Sequence, residues 1–382
     1  MKNGNVLILG AGMTGLVAGY VSGLPVYEAK KWPGGICTSY YMRPGSKERL
    51  YAMPRDGEVY RFEIGGGHWI FGGDPLVLRF IQSMVPVTSY TRKSSVFLPE
   101  SGIFVPYPIQ NHLSYLGPGL SAKALSEMVA ASRSSELIGT MGEWLEAYFG
   151  STLCDLFFYP FHELYTAGLY RRIAPQDAYK SPVNLSLAVH GALARSSQVG
   201  YNVTFVYPKE GLNRLAKQMS DRCDIRFNKK LVHVDVNKRV LCFDDGSTVV
   251  YNVLLSTLPL NKMIRLTDLD IDQRPDPATS VLVVNIGATK GESCPDDHWV
   301  YIPHSKAGFH RVGFYSNVDV SFLPTAVRNG RSHVSIYVEK AYKEGAKPTG
   351  DEIEVLCRSA VSYTHLRAHE TSLHLVCRLL LE

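Results

Sequence analysis

No uninterrupted apolar run in the 382 residues approaches the roughly 18 positions that a membrane-spanning helix requires, so no membrane span is expected. Cysteine is sparse and unpaired. Cys37, Cys154, Cys223, Cys242, Cys294, Cys357 and Cys377 show no metal-ligand spacing and are odd in number, which argues against a zinc site or a disulfide framework and for a reducing compartment. A cytoplasmic location is expected. Charge of one sign is not in excess: 40 Lys plus Arg against 35 Asp plus Glu leave a formal charge of +5, too small and dispersed for a nucleic-acid surface. A Ser, His and Asp set, a carboxylate pair and a thiolate motif are also missing. What remains is 45% hydrophobic and 20% charged residues, ordinary for a soluble globular enzyme and with material for two domains.

Glycine, by contrast, is placed with a pattern. An apolar strand, Val6 to Leu9, runs into Gly10-Ala11-Gly12-Met13-Thr14-Gly15, a G-x-G-x-x-G turn that opens a helix and lets backbone N–H groups approach a pyrophosphate. The same spacing argues against a signal peptide in the apolar N-terminus. A second strand, Pro25 to Tyr27, leads to Glu28 and Ala29, and the Glu28 carboxylate stands where such units bind an adenosine ribose. The crossover is about one helical turn short, so its helix is expected to end near Gly23. A second glycine turn follows at Gly34-Gly35-Ile36-Cys37-Thr38-Ser39. Cys37 is expected to be a small buried residue and not a nucleophile.

These turns together resemble the flavin enzymes related to amine oxidase, protoporphyrinogen oxidase and UDP-galactopyranose mutase. The resemblance spans about residues 5 to 355 and implies FAD, with Gly10, Gly12, Met13, Thr14, Gly15, Glu28, Ala29, Gly34, Gly35 and Ile36 as cofactor contacts. In that family a G-G-H turn brings backbone against the flavin ring, which points to Gly66, Gly67 and His68, the histidine as a wall and not a base. The later strands, ending at Ser256-Thr257-Leu258-Pro259, match the family's return to its FAD lobe, with Leu231 and Val232 as candidate adenine contacts. The expected fold is therefore α/β: a discontinuous Rossmann-like FAD-binding domain over 1-75 and 206-265, with a second α+β substrate domain over 76-205 and 266-358. Residues 121 to 150 read as helical by period, closed by Phe149-Gly150.

Substrate is expected among aromatic and basic segments of the second domain. Tyr201 and Tyr207 are candidate walls and Lys180 a candidate cation, while Arg311, Arg171 and Arg172 suit a diphosphate. Individually, tyrosines on strands more often pack than line a site. The resemblance implies an FAD-dependent oxidoreductase passing hydride from a small molecule to flavin N5. The alternatives are a reduced-flavin isomerase of a sugar nucleotide, similar to UDP-galactopyranose mutase, and an inactive FAD-binding fragment. The last arises from the tail: residues 359-382 look like a translated sequencing adapter, and the family's closing glycine-rich segment has no counterpart before residue 360. His365, His369 and His374 miss the H-E-x-x-H spacing by one residue, so no metal is expected.

Overall fold

The computed structural model describes residues 5–131, 138–175, 183–195, 199–200, 202–273, 276–363 and 374–380. It contains two compact units, one of Met1–Ser39, Glu63–Thr88 and Val206–Asp276, the other of Tyr40–Phe62, Ser89–Phe205 and Pro277–Glu382. Both mix helix and sheet, and the first carries the parallel sheet of a Rossmann-like α/β fold.

In the first unit, β1 (Val6–Leu9) enters α1 (Met13–Ser22), which is followed by β2 (Val26–Tyr27). The chain comes back through α2 (Pro75–Met84), α3 (Leu212–Ser220), β3 (Ile225–Arg226), the meander β4 (Leu231–Asp235), β5 (Val240–Phe243) and β6 (Thr248–Val250), and then β7 (Val253–Ser256). The parallel sheet has the order β3-β2-β1-β7, with Val6 paired to Val253 and Ile8 to Val26. The inner strand β1 is apolar on both sides because both of its faces are covered, whereas the edge strands β3 and β7 keep exposed positions. Ile8 and Val26 pack with Leu16 of α1 and Leu215, Ala216 and Met219 of α3 on one face; Leu7 and Leu9 pack with Leu231, Leu241 and Phe243 of the meander on the other.

Glycine sets how closely α1 lies on the sheet. A Cβ on Gly19 would stand 2.7 Å from Val26 Cγ2. The helix stops at Gly23, whose φ of 69° and N–H bond to the Gly19 carbonyl (2.8 Å) make a left-handed cap, as the short crossover requires. Asp74 caps α2 through the Leu76 N–H at 2.7 Å, with Pro75 in the first turn.

The second unit is built on a mixed seven-stranded sheet whose order is 374–380, Thr279–Thr289, His333–Lys343, Arg311–Phe314, Trp299–Tyr301, Ser94–Leu98 and Ile103–Pro106. One face carries Val284, Ile286, Val312, Phe314, Ile336 and Val338 and is closed by Leu356, Cys357 and Ala360 of the helix Gly350–Tyr363. A second core gathers Leu145, Phe149, Leu153, Phe157 and Phe158 from the helical segments after residue 117. The stretch read as one helix is two, Pro118–Ala131 and Met141–Leu153, and the second breaks at Gly150 (φ 75°). There a Cβ would meet Glu127 Cβ at 2.4 Å, and the Glu127 carboxylate instead accepts from the Thr152 N–H at 2.7 Å, capping the chain as it restarts.

Candidate functional site

In the first unit the fingerprint glycines have three different surroundings. Gly10 holds φ at 92°, and a Cβ on it would lie 2.5 Å from Thr257 Oγ1, whose hydroxyl donates to the Leu9 carbonyl at 2.8 Å. A Cβ on Gly15 would lie 1.8 Å from the Gly10 carbonyl oxygen, so only glycine lets the helix close against the turn. Gly12 is different: a Cβ there would meet no atom within 4 Å. The turn, the close helix packing and the open approach thus fall to the three glycines of the motif in the way a bound pyrophosphate requires, with the N-terminal end of α1 supplying N–H groups and positive potential. Met13 is half-buried and Thr14 exposed in that first turn.

Glu28 is held at the edge of this opening. One carboxylate oxygen accepts the Ala11 N–H at 2.7 Å and the other the Lys30 N–H at 2.8 Å, while its own N–H donates to the Arg226 carbonyl at 2.9 Å. The carboxylate therefore points back toward the glycine turn, with Ala29 exposed beside it. The second glycine turn is bonded to the first: the Gly34 N–H donates to the Ala11 carbonyl at 2.8 Å, and Gly12 and Gly34 form a parallel bridge. Gly34 and Gly35 have φ of 106° and 57°, and Ile36 stays half exposed at 50%. The third turn joins the same group, since the Gly65 N–H donates to the Ile36 carbonyl at 3.2 Å and the Ile64 N–H to the Thr38 carbonyl at 2.9 Å. Gly66 is buried, Gly67 and His68 are half-buried, and the His68 ring sits 3.3 Å through Nδ1 from the Gly66 carbonyl. Leu231 is packed in the meander core, whereas Val232 is 44% exposed.

Three features of this unit escape motif reading. Glu63 is 1% exposed and accepts from Ser39 Oγ (3.0 Å) and from the Tyr207 hydroxyl, behind the glycine turns. Tyr207, singled out as a substrate wall, is enclosed at 1% exposure with Trp69 edge-on at 4.9 Å. A half-open apolar cavity of about 340 Å³ lies between α1, α2 and α3, lined by Met13, Val17, Cys37, Val77, Phe80 and Leu215 among others. The Cys37 thiol at its edge is pushed up to about 11 by burial and then by the Glu63 charge. Iodoacetamide at neutral pH is accordingly expected to leave Cys37 unmodified in the folded protein, as peptide mass mapping reads; rapid labelling there contradicts the assignment.

Tyr201 and Lys180 lie outside the described residues. Arg171 is exposed and paired with Glu163 at 3.4 Å. Arg311 of the second unit is one-quarter exposed and joined to Glu339. Close by, Phe157, Phe161 and Tyr165 stack in series at 5.2 and 5.4 Å, with Tyr301 edge-on to Phe161 at 5.3 Å. Among the described residues no group of three His, Cys, Asp or Glu side chains is placed to hold a metal ion, and no helix is long and apolar enough to cross a membrane.

Residues 24–282 match the family model described as flavin containing amine oxidoreductase. Among solved structures the chain is similar to reduced UDP-galactopyranose mutase, at 22% identity and a TM-score of 0.79 over 98% of this chain and 82% of that one. It is also similar to a CLA-producing fatty acid isomerase from P. acnes (13% identity, TM-score 0.59, 99% of this chain and 86% of that one). Wild-type putrescine oxidase bound to putrescine is a third, at 14% identity and a TM-score of 0.53 over 94% of this chain and 81% of that one. At these identities the likeness is one of fold.

Proposed function

The chain belongs to the family of flavin containing amine oxidoreductases and is an FAD-dependent enzyme, and from that premise we propose that it passes a hydride from a small-molecule substrate to flavin N5. Gly12, with open space where a side chain would be, is the observation that carries the reading. The Gly10 to Gly15 turn holds the pyrophosphate, Glu28 takes the ribose through lone pairs not used by Ala11 and Lys30, Val232 borders the adenine, and Gly66 to His68 wall the ring. When bound, FAD supplies the redox chemistry, so the protein's own part is binding, orientation and exclusion of water.

The test is reconstitution. Protein refilled with FAD is expected to stay yellow through gel filtration and to bleach anaerobically with its substrate; a chain that remains colourless at saturating FAD overturns the reading. Glu28→Gln is expected to weaken FAD by about 10- to 100-fold, the worth of charge-assisted hydrogen bonds, in a flavin-fluorescence titration. Unchanged affinity removes Glu28 from the ribose.

A second reading, isomerisation of a sugar nucleotide by reduced flavin, is favoured by one observation in the second unit. Arg311 is a partly exposed guanidinium fixed on a strand, near the ring series that ends in the 38% exposed Tyr165, and such a pair suits a diphosphate and a flat base or sugar. Turnover of a UDP-sugar only after dithionite reduction distinguishes it from substrate bleaching of oxidised flavin.

A further inference from the structure

The ion pair that holds Arg311 is buried on one side and open on the other. Arg311 and Glu339 are register partners on adjacent antiparallel strands, so the backbone sets their approach. The Glu339 carboxylate, 6% exposed, accepts from Arg311 Nε at 2.7 Å and from Nη2 with the same oxygen, which His310 Nε2 also approaches at 3.4 Å. The His310 backbone N–H donates to the Glu339 carbonyl at 3.0 Å. Its imidazole is 2% exposed and cannot turn freely, because Tyr165 and Phe161 pack against it with ring centroids 5.2 and 6.0 Å away. The Arg311 side chain keeps 25% of its surface open, and Tyr337 lies beside the guanidinium at 5.7 Å.

Such a cluster is a poor device for stability. Desolvating two charges consumes most of what their attraction returns, and apolar replacements of similar volume are often as stable. It is a good device for direction. A guanidinium has five donors in one plane, and a carboxylate gripping the Nε and Nη2 edge holds that plane in one orientation before any ligand arrives. Burial opposes the charge on both partners, yet each overcomes it for the other: Glu339 is brought down to about 2 by Arg311 and then His310, and Arg311 is raised by Glu339.

We propose that Glu339 and His310 are positioning residues for Arg311, fixing its guanidinium as the recognition group for a phosphate-bearing substrate. The proposal rests on the sugar-nucleotide reading above and specifies how its anion is oriented. It has a consequence that scaffolding alone lacks. Glu339 fixes the guanidinium but also offsets its charge, so affinity and orientation should separate when the carboxylate is neutralised.

The probe is inorganic pyrophosphate, titrated calorimetrically into protein saturated with FAD so that the phosphate cradle at Gly12 is occupied. Arg311→Ala is expected to weaken binding by 10-fold or more, in line with about 1.5–3 kcal/mol for hydrogen bonds to charge. Glu339→Gln is expected to tighten binding by about 3- to 10-fold, from the loss of a competing negative charge. In protein labelled with ¹⁵N-arginine, the Arg311 Nε–H resonance should be sharp in the wild type, broadened in Glu339→Gln and recovered in Glu339→Asp. His310→Leu should broaden it in part, and it serves the same test should Glu339→Gln not fold. Binding that does not depend on Arg311 overturns the sugar-nucleotide reading itself. Binding that depends on Arg311, with affinity and resonance unmoved by either change at Glu339 or His310, overturns the positioning role alone.

Discussion

Gly12→Asp is expected to weaken FAD binding by at least 100-fold while the apoprotein unfolds at the wild-type denaturant midpoint. Few substitutions separate ligand affinity from folding so completely, and the reason is geometric. Gly12 has φ of −67° and ψ of 177°, extended backbone that any residue adopts, and a Cβ there has no neighbour within 4 Å. On the proposed function, that space would receive the pyrophosphate at the first turn of α1. A carboxylate in that space meets the ligand's negative charge, and like charges brought together cost several kcal/mol, more than the 2.7 kcal/mol that corresponds to about 100-fold. Gly15→Ala is the contrasting control. Its Cβ would lie 1.8 Å from the Gly10 carbonyl, so overpacking should cost about 1–3 kcal/mol of stability before any ligand is added. Flavin-fluorescence titration and urea unfolding followed by circular dichroism measure the two quantities. Equal loss of stability in both variants, or retained FAD affinity in Gly12→Asp, contradicts the placement of the pyrophosphate.

The second unit should lose stability in acid earlier than its carboxylates dictate. His112 and His298 are both buried, and burial, assisted by Arg92 at the first and Lys93 at the second, pulls each from 6.5 down to about 4. The direction of the effect follows from proton counting. Above pH 6.5 both imidazoles are neutral whether the chain is folded or not, and they add nothing to the pH dependence. Between pH 6.5 and 4 the unfolded chain binds protons that the folded chain refuses, so stability falls as pH falls, by about 1.4 kcal/mol per pH unit for each residue and by about 3 kcal/mol apiece across the window. Glu339 acts later: with its carboxyl lowered from 4.5 to about 2, its contribution is intact above pH 4.5 and fades below it. Urea midpoints at pH 7, 5.5 and 4.5 should therefore decline steadily, and His298→Gln should make the decline shallower by its own share, leaving that of His112 and of His310, whose imidazole burial also holds below its usual range. A flat midpoint over this interval rules out buried neutral histidines at these positions.

The glycine fingerprint was legible because it is local. The β1 strand, the α1 helix, its stop at Gly23 and the carboxylate of Glu28 all lie within some two dozen residues, where strand period, turn chemistry and a short crossover leave few alternatives. The contacts among the three glycine turns were less legible. Gly34 bonding to Ala11 and Gly65 to Ile36 depend on tertiary packing, and sequence offered only their shared composition. The Glu63, Ser39 and Tyr207 group has no signature in the local pattern because its members come from distant segments, and Glu63 follows Arg61 and Phe62 in the polar and apolar alternation of an ordinary half-exposed strand. The ring of Tyr207 stands out in the sequence, but strand alternation does not say which face is closed. Arg311 stands in the sequence without any sign of Glu339, since cross-strand partners become visible only when register is known. Gly150 marks the break in the sequence because a glycine after Phe149 closes the helical period, while the resumption capped by Glu127 has no signature in the local pattern.

The pairing of Val6 with Val253 carries a consequence for biosynthesis. The nascent strand β1 leaves the ribosome with β2 close behind, but its neighbour on the other side, Val253–Ser256, is made only after a long intervening stretch of chain. Until then one side of a strongly apolar strand is without its companion, and contacts so distant along the chain form slowly. A nascent chain halted before that point should thus expose an unpaired strand edge, the kind of intermediate that is prone to aggregate.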